Sequence, residues 1–374
     1  MKPKSILTIG GGTQDIFISY KNTETVKFQS KQGTRSCLLL EEGAKIEISD
    51  ITYATGGGAT NSGVSFQRLG FSSSACCKLG NDLQAQFILE SLKKESINTS
   101  YIQHTADLPT GTSFILPSPV GNHTILAYRG ANKHLNESDI PFDTLTSFDQ
   151  LYITSLSGAS SAMLIPVCKQ ANKLGIPVAT NPGSSQLAAG ADVLCEALKY
   201  IDILILNSDE AKKFMLSLVK KDTQLQQTLE QSNIETAPHM PDLLGSIFYE
   251  NIRFSLPDFF KQVLGQGPRI VVVTNGKEGV YVASETTMYF HPSIPTNIAS
   301  TVGAGDAFGS CFVASITQGQ SLKQALLRGI INASSAISFV TAKEGLLDYD
   351  TLEEKVQNFD ASKLQTFSLI NHKK

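Results

Sequence analysis

Short apolar runs recur along the chain, with amphipathic segments between them. SILTIG opens the series, followed by SSSACCKLG at 72–80, LYITS at 151–155, IPVATN at 176–181, YIDILILN at 200–207 and RIVVVTN at 269–275. Their length and bounding turn residues predict strands, whereas Leu83–Lys94, Ala162–Leu174 and Leu322–Val340 carry apolar residues at helical spacing. Strand, helix, strand order predicts an α/β fold, three-layered and doubly wound, with a mostly parallel central sheet covered by helices on both faces.

Three regions break that rhythm. Residues 16–55 and 108–130 are richer in Thr, Ser, Tyr and turn residues and show strand-like alternation, as in TSFILPSP and HTILAYRG on either side of a Val-Gly-Asn turn. They predict extra strands outside the main sheet. The third region, about 215–265, combines the polar helical KKDTQLQQTLEQSN with prolines at 238 and 241 and the amphipathic SLPDFFKQVLG. It reads as an insertion or a lengthened helical hairpin within one α/β domain spanning 1–374, and no long internal repeat or low-complexity tract interrupts that unit.

Composition narrows the function classes. A formal charge of −3 with 17% charged residues leaves no basic excess for a nucleic-acid backbone. The 6 cysteines lie mostly in apolar runs and form no C-x-x-C pair, which suits thiols in a reducing compartment. No run reaches the roughly 18 apolar residues of a membrane span, and glycines interrupt the apolar stretch of MKPKSILTIGGG, so a cytoplasmic protein is expected.

The strongest chemical signal is TVGAGDAFGSCFVASI, 301–316. A Gly-Ala-Gly turn opens a helix there, and the unpaired N–H groups of such a start form an anion site that Gly303, Ala304 and Gly305 would line. Asp306 follows on the first turn, either as a base beside that site or as an ordinary N-terminal helix acid. Gly56, Gly57 and Gly58 form a hinge or a tight turn. Asn61 offers a donor and an acceptor to a polyol, or caps a helix. Asp15 could accept two sugar hydroxyls, or belong to a turn. Asn207 and Glu210 lie where a strand exits into a helix, the usual ligand edge of a parallel sheet, and suit a water-mediated hold on Mg²⁺ or a simple helix start. Arg129, in RGAN, is either a phosphate contact or a solvated side chain.

Context favours the chemical readings. The 301–316 segment closely resembles the carboxy-terminal signature of the PfkB, or ribokinase, family of carbohydrate kinases. ATGGGATNSGVSFQRLG resembles its amino-terminal signature, with a hinge at Gly57 and Gly58 and Asn61 on the following helix. TIGGGTQDIFI matches the segment whose acid holds substrate hydroxyls, placing Asp15 at the end of a first strand. PTGTSFILPSPVGNHTILAYRGAN is similar to a lid hairpin, and ILNSDEAKKF fits the N-x-x-E pattern with Asn207 and Glu210. VTNGKEGVYV matches the strand whose Thr274, Gly276 and Gly279 lie near the nucleotide. GIINASSAISFV is similar to the helix along the adenosine, with Asn332 as its polar residue. The motifs run in family order from about residue 10 to 345.

The resemblance implies a ribokinase-like fold with a small β lid, and a kinase that transfers the γ-phosphoryl of ATP, with Mg²⁺, to a hydroxyl of a small sugar. Asp306 would be the base and the Gly-Ala-Gly turn the anion hole. Ser300 stands where the family has an acid near a monovalent-cation site, which argues against K⁺ activation. An adenosine-like nucleoside kinase is the alternative, for which Phe17, Tyr20 and Phe114 are stacking candidates; a catalytically idle sugar or nucleotide sensor is another. A Rossmann dehydrogenase is disfavoured because no G-x-G-x-x-G turn follows the first strand. Open lid edges imply a homodimer through the lid strands.

Overall fold

The computed structural model describes residues 3–20, 24–30, 33–118, 123–188, 190–230 and 240–369. The Val-Gly-Asn turn at 120–122, Pro238 and the end of the polar stretch at 231–233 lie outside them. The central sheet has 9 strands. Six are parallel, in the order Ser72–Cys76, Ser5–Ile9, Gln150–Ile153, Val178–Thr180, Ile203–Asn207 and Ile270–Thr274, and Val280–Ala283, Thr287–His291 and Gln365–Ser368 extend that sheet antiparallel.

Both faces of this sheet are dry, which explains why its strands read as continuous apolar runs. Along Ile203–Asn207, Leu204 and Leu206 point into a core built with Phe214, Phe259 and Phe260. Ile203 and Ile205 point the other way, into a core with Phe66, Phe308 and Phe312. Helices therefore flank the sheet on two sides, and the fold class expected from the sequence holds. The helix predicted at Leu83–Lys94 forms over those residues and is capped by Asp82, whose carboxylate accepts from the Ala85 amide.

A second sheet has 4 strands in the order His123–Tyr128, Gly111–Pro117, Thr13–Tyr20 and Ile48–Gly56. A separate hairpin pairs Glu24–Ser30 with Gly33–Leu39. The region at 215–265 is not a plain helical hairpin. Helices Ser208–Lys221, Thr223–Glu230 and Leu256–Leu264 bracket a short antiparallel pair, Ile247–Tyr249 with Ile252–Phe254. Leu243, Leu244, Ile252 and Phe254 are buried in the main core there, so the segment is part of the packed body.

The chain order sends Ser5–Ile9 to Ser72–Cys76 on one side and to Gln150–Ile153 on the other. Connections leave such a strand in opposite directions and open a crevice at its carboxyl end. The wall of that crevice is fixed by Asn332, which is fully buried on helix Leu322–Ala336. Its Nδ2 donates to Ala307 O at 2.8 Å, and its Oδ1 accepts from Leu347 N at 2.9 Å. Asn332→Ala leaves both groups without this partner, and about 1–3 kcal/mol of stability is expected to be lost. Urea unfolding should show a lower midpoint with an unchanged slope.

Candidate active site

Gly303, with φ of 80°, turns the chain into helix Ala304–Thr317. A side chain there would be strained by that φ and would bring a Cβ to 2.4 Å from Ala342 Cβ. The Ala304 amide is engaged by Thr301 O at 3.3 Å, whereas those of Gly303 and Gly305 meet no acceptor among the described residues. Two of the three expected anion-hole donors therefore remain available.

Helix Gly58–Arg68 lies against this start, joined by a polar seam of residues four apart on each helix. Asn61 Nδ2 donates to Asp306 Oδ2 at 2.9 Å, and Ser310 Oγ to Ser65 Oγ at 2.7 Å. Asn61 thus holds Asp306, while its own Oδ1 is buried without a donor among the described residues. Burial raises the Asp306 carboxyl above the usual range; the Asn61 hydrogen bond and the Lys343 charge pull it down, and Asp15 pushes it up again.

Asp15 is placed differently from the sequence expectation. The first strand ends at Ile9, and the glycines at 10–12 redirect the chain, so Asp15 lies inside Thr13–Tyr20 of the second sheet. It is 6% exposed and accepts from Thr13 Oγ1 at 2.9 Å. Burial raises its carboxyl, opposed by hydrogen bonds from Thr13 and Ser113 and by the charges of Lys343 and Arg129. Arg129 is exposed one residue beyond strand His123–Tyr128, and its charge is the smallest of these influences on Asp15.

The run Gly56–Gly58 joins strand Ile48–Gly56 of the second sheet to helix Gly58–Arg68. A Cβ on Gly56 would come within 1.9 Å of Asp15 Oδ2, and Gly57, with φ of 93°, precedes helix Gly58–Arg68 as its cap. From the edge of the second sheet, His123 Nδ1 lies 3.3 Å from Thr301 Oγ1 beside the Gly-Ala-Gly turn.

Asn207 and Thr274 are register partners at the carboxyl ends of adjacent parallel strands, with Gly276 and Gly279 in the turn beyond Thr274. Asn207 and Glu210 form a reciprocal cap, each side chain accepting from the other's amide at 2.8 Å. Burial raises the Glu210 carboxyl, and the Asn207 amide is the first influence opposing it. Asn332 is fully buried, its amide bonded to Ala307 O and Leu347 N. Ser300 Oγ accepts from Val302 N at 3.2 Å, so the position of the family acid holds a neutral loop brace.

Two further residues shape the site without having been singled out in the sequence. Asn132 braces the 10–12 loop, accepting from Gly12 N at 3.0 Å and donating to Gly12 O at 2.8 Å. Lys343 is 8% exposed, and its Nζ donates to Thr55 Oγ1 at 2.6 Å and Thr60 Oγ1 at 3.0 Å. The only local signal for Lys343 is a lone cation in the apolar-flanked TAKEGLL.

The profile of the pfkB family of carbohydrate kinases matches residues 23–237 and 255–345. The chain belongs to that family. The unmatched stretch, 238–254, contains the short strand pair described above. The chain is 27% identical over 285 residues to a ribokinase of Staphylococcus aureus, covering 75% of this chain and 81% of the relative. The nucleoside kinase of Methanocaldococcus jannaschii superposes with a TM-score of 0.71 at 18% identity, over 96% of this chain and 99% of that one. Arabidopsis thaliana ribokinase, solved with ribose and ATP, gives 0.70 at 19% identity over 96% and 100%. The fold is therefore ribokinase-like, and the chain is a carbohydrate kinase by family. No helix among the described residues is long and apolar enough to cross a membrane.

Asn61→Ala removes a hydrogen bond made to the charged form of Asp306, so protonation of that carboxylate should become easier and its titration midpoint should rise. ¹³C NMR of carboxyl-labelled aspartate, with Asp306→Asn assigning the signal, checks the direction.

Proposed function

We propose that this kinase transfers the γ-phosphoryl group of ATP to a hydroxyl of an unphosphorylated small sugar, with Asp306 as the general base. The observation that carries the proposal is the placement of Asp306 on the first turn of helix Ala304–Thr317, beside the open Gly303 and Gly305 amides and fixed by Asn61. A carboxylate so placed can take the acceptor proton while the amides meet the negative charge on the transferring group. Phosphoryl transfer asks for such alignment and charge stabilisation more than for covalent help.

Acceptor recognition is supported by the acceptor-rich wall. Asp15 supplies carboxylate oxygens and Asn61 a buried carbonyl without a donor, a combination suited to sugar hydroxyls. The sugar reading is further supported by the position of the aromatic residues. Asp15 pairs with Ser113, so Phe114 points to the opposite face of the lid sheet, and Phe17 is buried. Neither offers a ring open on the Asp15 side for stacking a nucleoside base. Arg129 would approach the acceptor from the lid, and closure about Gly57 and Gly58 would exclude water that competes for the phosphoryl group.

The nucleotide would lie along Asn207, Thr274, Gly276 and Gly279. Mg²⁺ fits beside Glu210 because one carboxylate oxygen holds the Asn207 amide, leaving the other to reach an ion through its waters. When bound, the ion neutralises phosphate charge.

ADP release with Mg·ATP, measured across free sugars, sugar phosphates, sugar acids and nucleosides, tests the assignment, with a free sugar expected as the best acceptor. Asp306→Asn should lower kcat by about two to four powers of ten while ATP still binds; turnover like the wild type would reject Asp306 as the base.

A homodimer through the second sheet is part of the proposal, and an exposed apolar row on that sheet supports it. The face of the second sheet turned away from Asp15 presents a cross-strand row of Tyr53, Ile16, Phe114 and Leu126, with Tyr53 54%, Phe114 41% and Leu126 55% exposed. Apolar rows of this kind mark interaction surfaces, and both outer strands of the sheet have open edges. Sedimentation equilibrium at micromolar concentration should give a dimer mass for the wild type and a monomer for Leu126→Asp with unchanged circular dichroism.

A further inference from the structure

Lys343 follows helix Leu322–Ala336 in a loop whose backbone is pinned from outside. Arg68 Nη1 donates to Lys343 O at 2.8 Å and Leu346 O at 2.9 Å, and the same guanidinium pairs with Glu95. The lysine side chain runs inward instead of to solvent. Thr55, in lid strand Ile48–Gly56, and Thr60, in helix Gly58–Arg68, receive its two hydrogen bonds. Thr60 Oγ1 itself donates to Gly56 O at 2.7 Å. The ammonium is therefore held by hydroxyls on both sides of the Gly56–Gly58 hinge.

Neither threonine balances its charge. The ionisable groups facing it come from four elements: Asp15 of the lid, Asp306 of the signature helix, Glu95 after helix Leu83–Lys94, and Cys77 beyond strand Ser72–Cys76. Glu95 is engaged by Arg68. Cys77 is buried and its thiol pushed up to about 12, so it stays neutral at ordinary pH. The two site carboxylates remain. Both adjoin the clamp: Thr60 precedes Asn61, the donor to Asp306 Oδ2, and Thr55 precedes Gly56, whose Cβ would fall 1.9 Å from Asp15 Oδ2, so the ammonium and the two carboxylates share one poorly solvated cleft, where charge is weakly screened.

We propose that Lys343 is a positioning residue for the phosphoryl-transfer base: clamped across the hinge, its ammonium supplies the positive charge that lets Asp306 stay ionised although Asp15 lies close by. This rests on the reading of Asp306 as the base. Burial lowers the Lys343 ammonium to about 8, against the pull of the two carboxylates. It therefore keeps its charge at pH values below that, through the acid range in which a carboxylate base titrates.

The test is the pH dependence of kcat/KM with the acceptor found by the panel, for the wild type, Lys343→Met and Lys343→Gln. Met removes the charge and both hydrogen bonds; Gln keeps a donor for the threonines and removes only the charge. Both variants should move the acid-side midpoint upward by about one pH unit or more, with roughly tenfold lower kcat/KM below it and Mg·ATP affinity retained by calorimetry. If Lys343→Met does not fold, Lys343→Gln carries the comparison. A folded variant whose acid limb superimposes on that of the wild type overturns the role of Lys343. A wild type that phosphorylates no acceptor, or an Asp306→Asn variant with wild-type turnover, sinks the base reading instead.

Discussion

Two buried carboxylates, Asp15 from a strand of the second sheet and Asp306 from the first turn of helix Ala304–Thr317, face one cleft; burial raises the cost of ionising each, and the charge of Asp15 adds to it at Asp306. The surrounding structure offsets it piece by piece. Thr13 and Ser113 donate to Asp15, Asn61 donates to Asp306, and Lys343 acts on both. Most of these groups come from distant parts of the chain, so the cleft exists only when the second sheet, helix Gly58–Arg68, helix Ala304–Thr317 and the loop after Leu322–Ala336 have all docked. The Asn332 bolt and the Arg68 clasp on the Lys343 loop belong to the same requirement. They hold rigid the walls that bring the charges together.

The fold was legible because its physics is local. A strand buried on both faces must read as a continuous apolar run, and IVVVT at 270–274 does; an amphipathic helix must repeat near 3.6, and Leu83–Lys94 does, down to its capping Asp82. The Gly-Ala-Gly turn followed by an acid was legible for the same reason, since a helix start carries its own anion site. Asp15 was located in the chain but assigned to the wrong strand. Alternation over TQDIFISY cannot say that the preceding glycines swing the chain into a second sheet.

Long-range partners left little trace. Lys343 lies 288 residues from Thr55 in sequence, and no spacing rule connects a lone lysine near the chain's end to a threonine near its start. The resemblance of GIINASSAISFV to a family helix singled out Asn332, but its hydrogen bonds to Ala307 O and Leu347 N join residues 25 and 15 positions away and left no trace in the sequence. Asn207 and Glu210 are compatible with either reading. They cap a helix reciprocally, and they do so at the sheet edge where ligands of this architecture bind.

The central claim is that one acceptor hydroxyl sits between Asp15 and Asp306 in front of the Gly303 and Gly305 amides. A crystal structure with ADP and the preferred acceptor tests it most directly. The account predicts a substrate hydroxyl within hydrogen-bond distance of an Asp306 oxygen, with other hydroxyls on Asp15 and Asn61 Oδ1. An acceptor bound elsewhere, with Asp306 facing only protein, would contradict it.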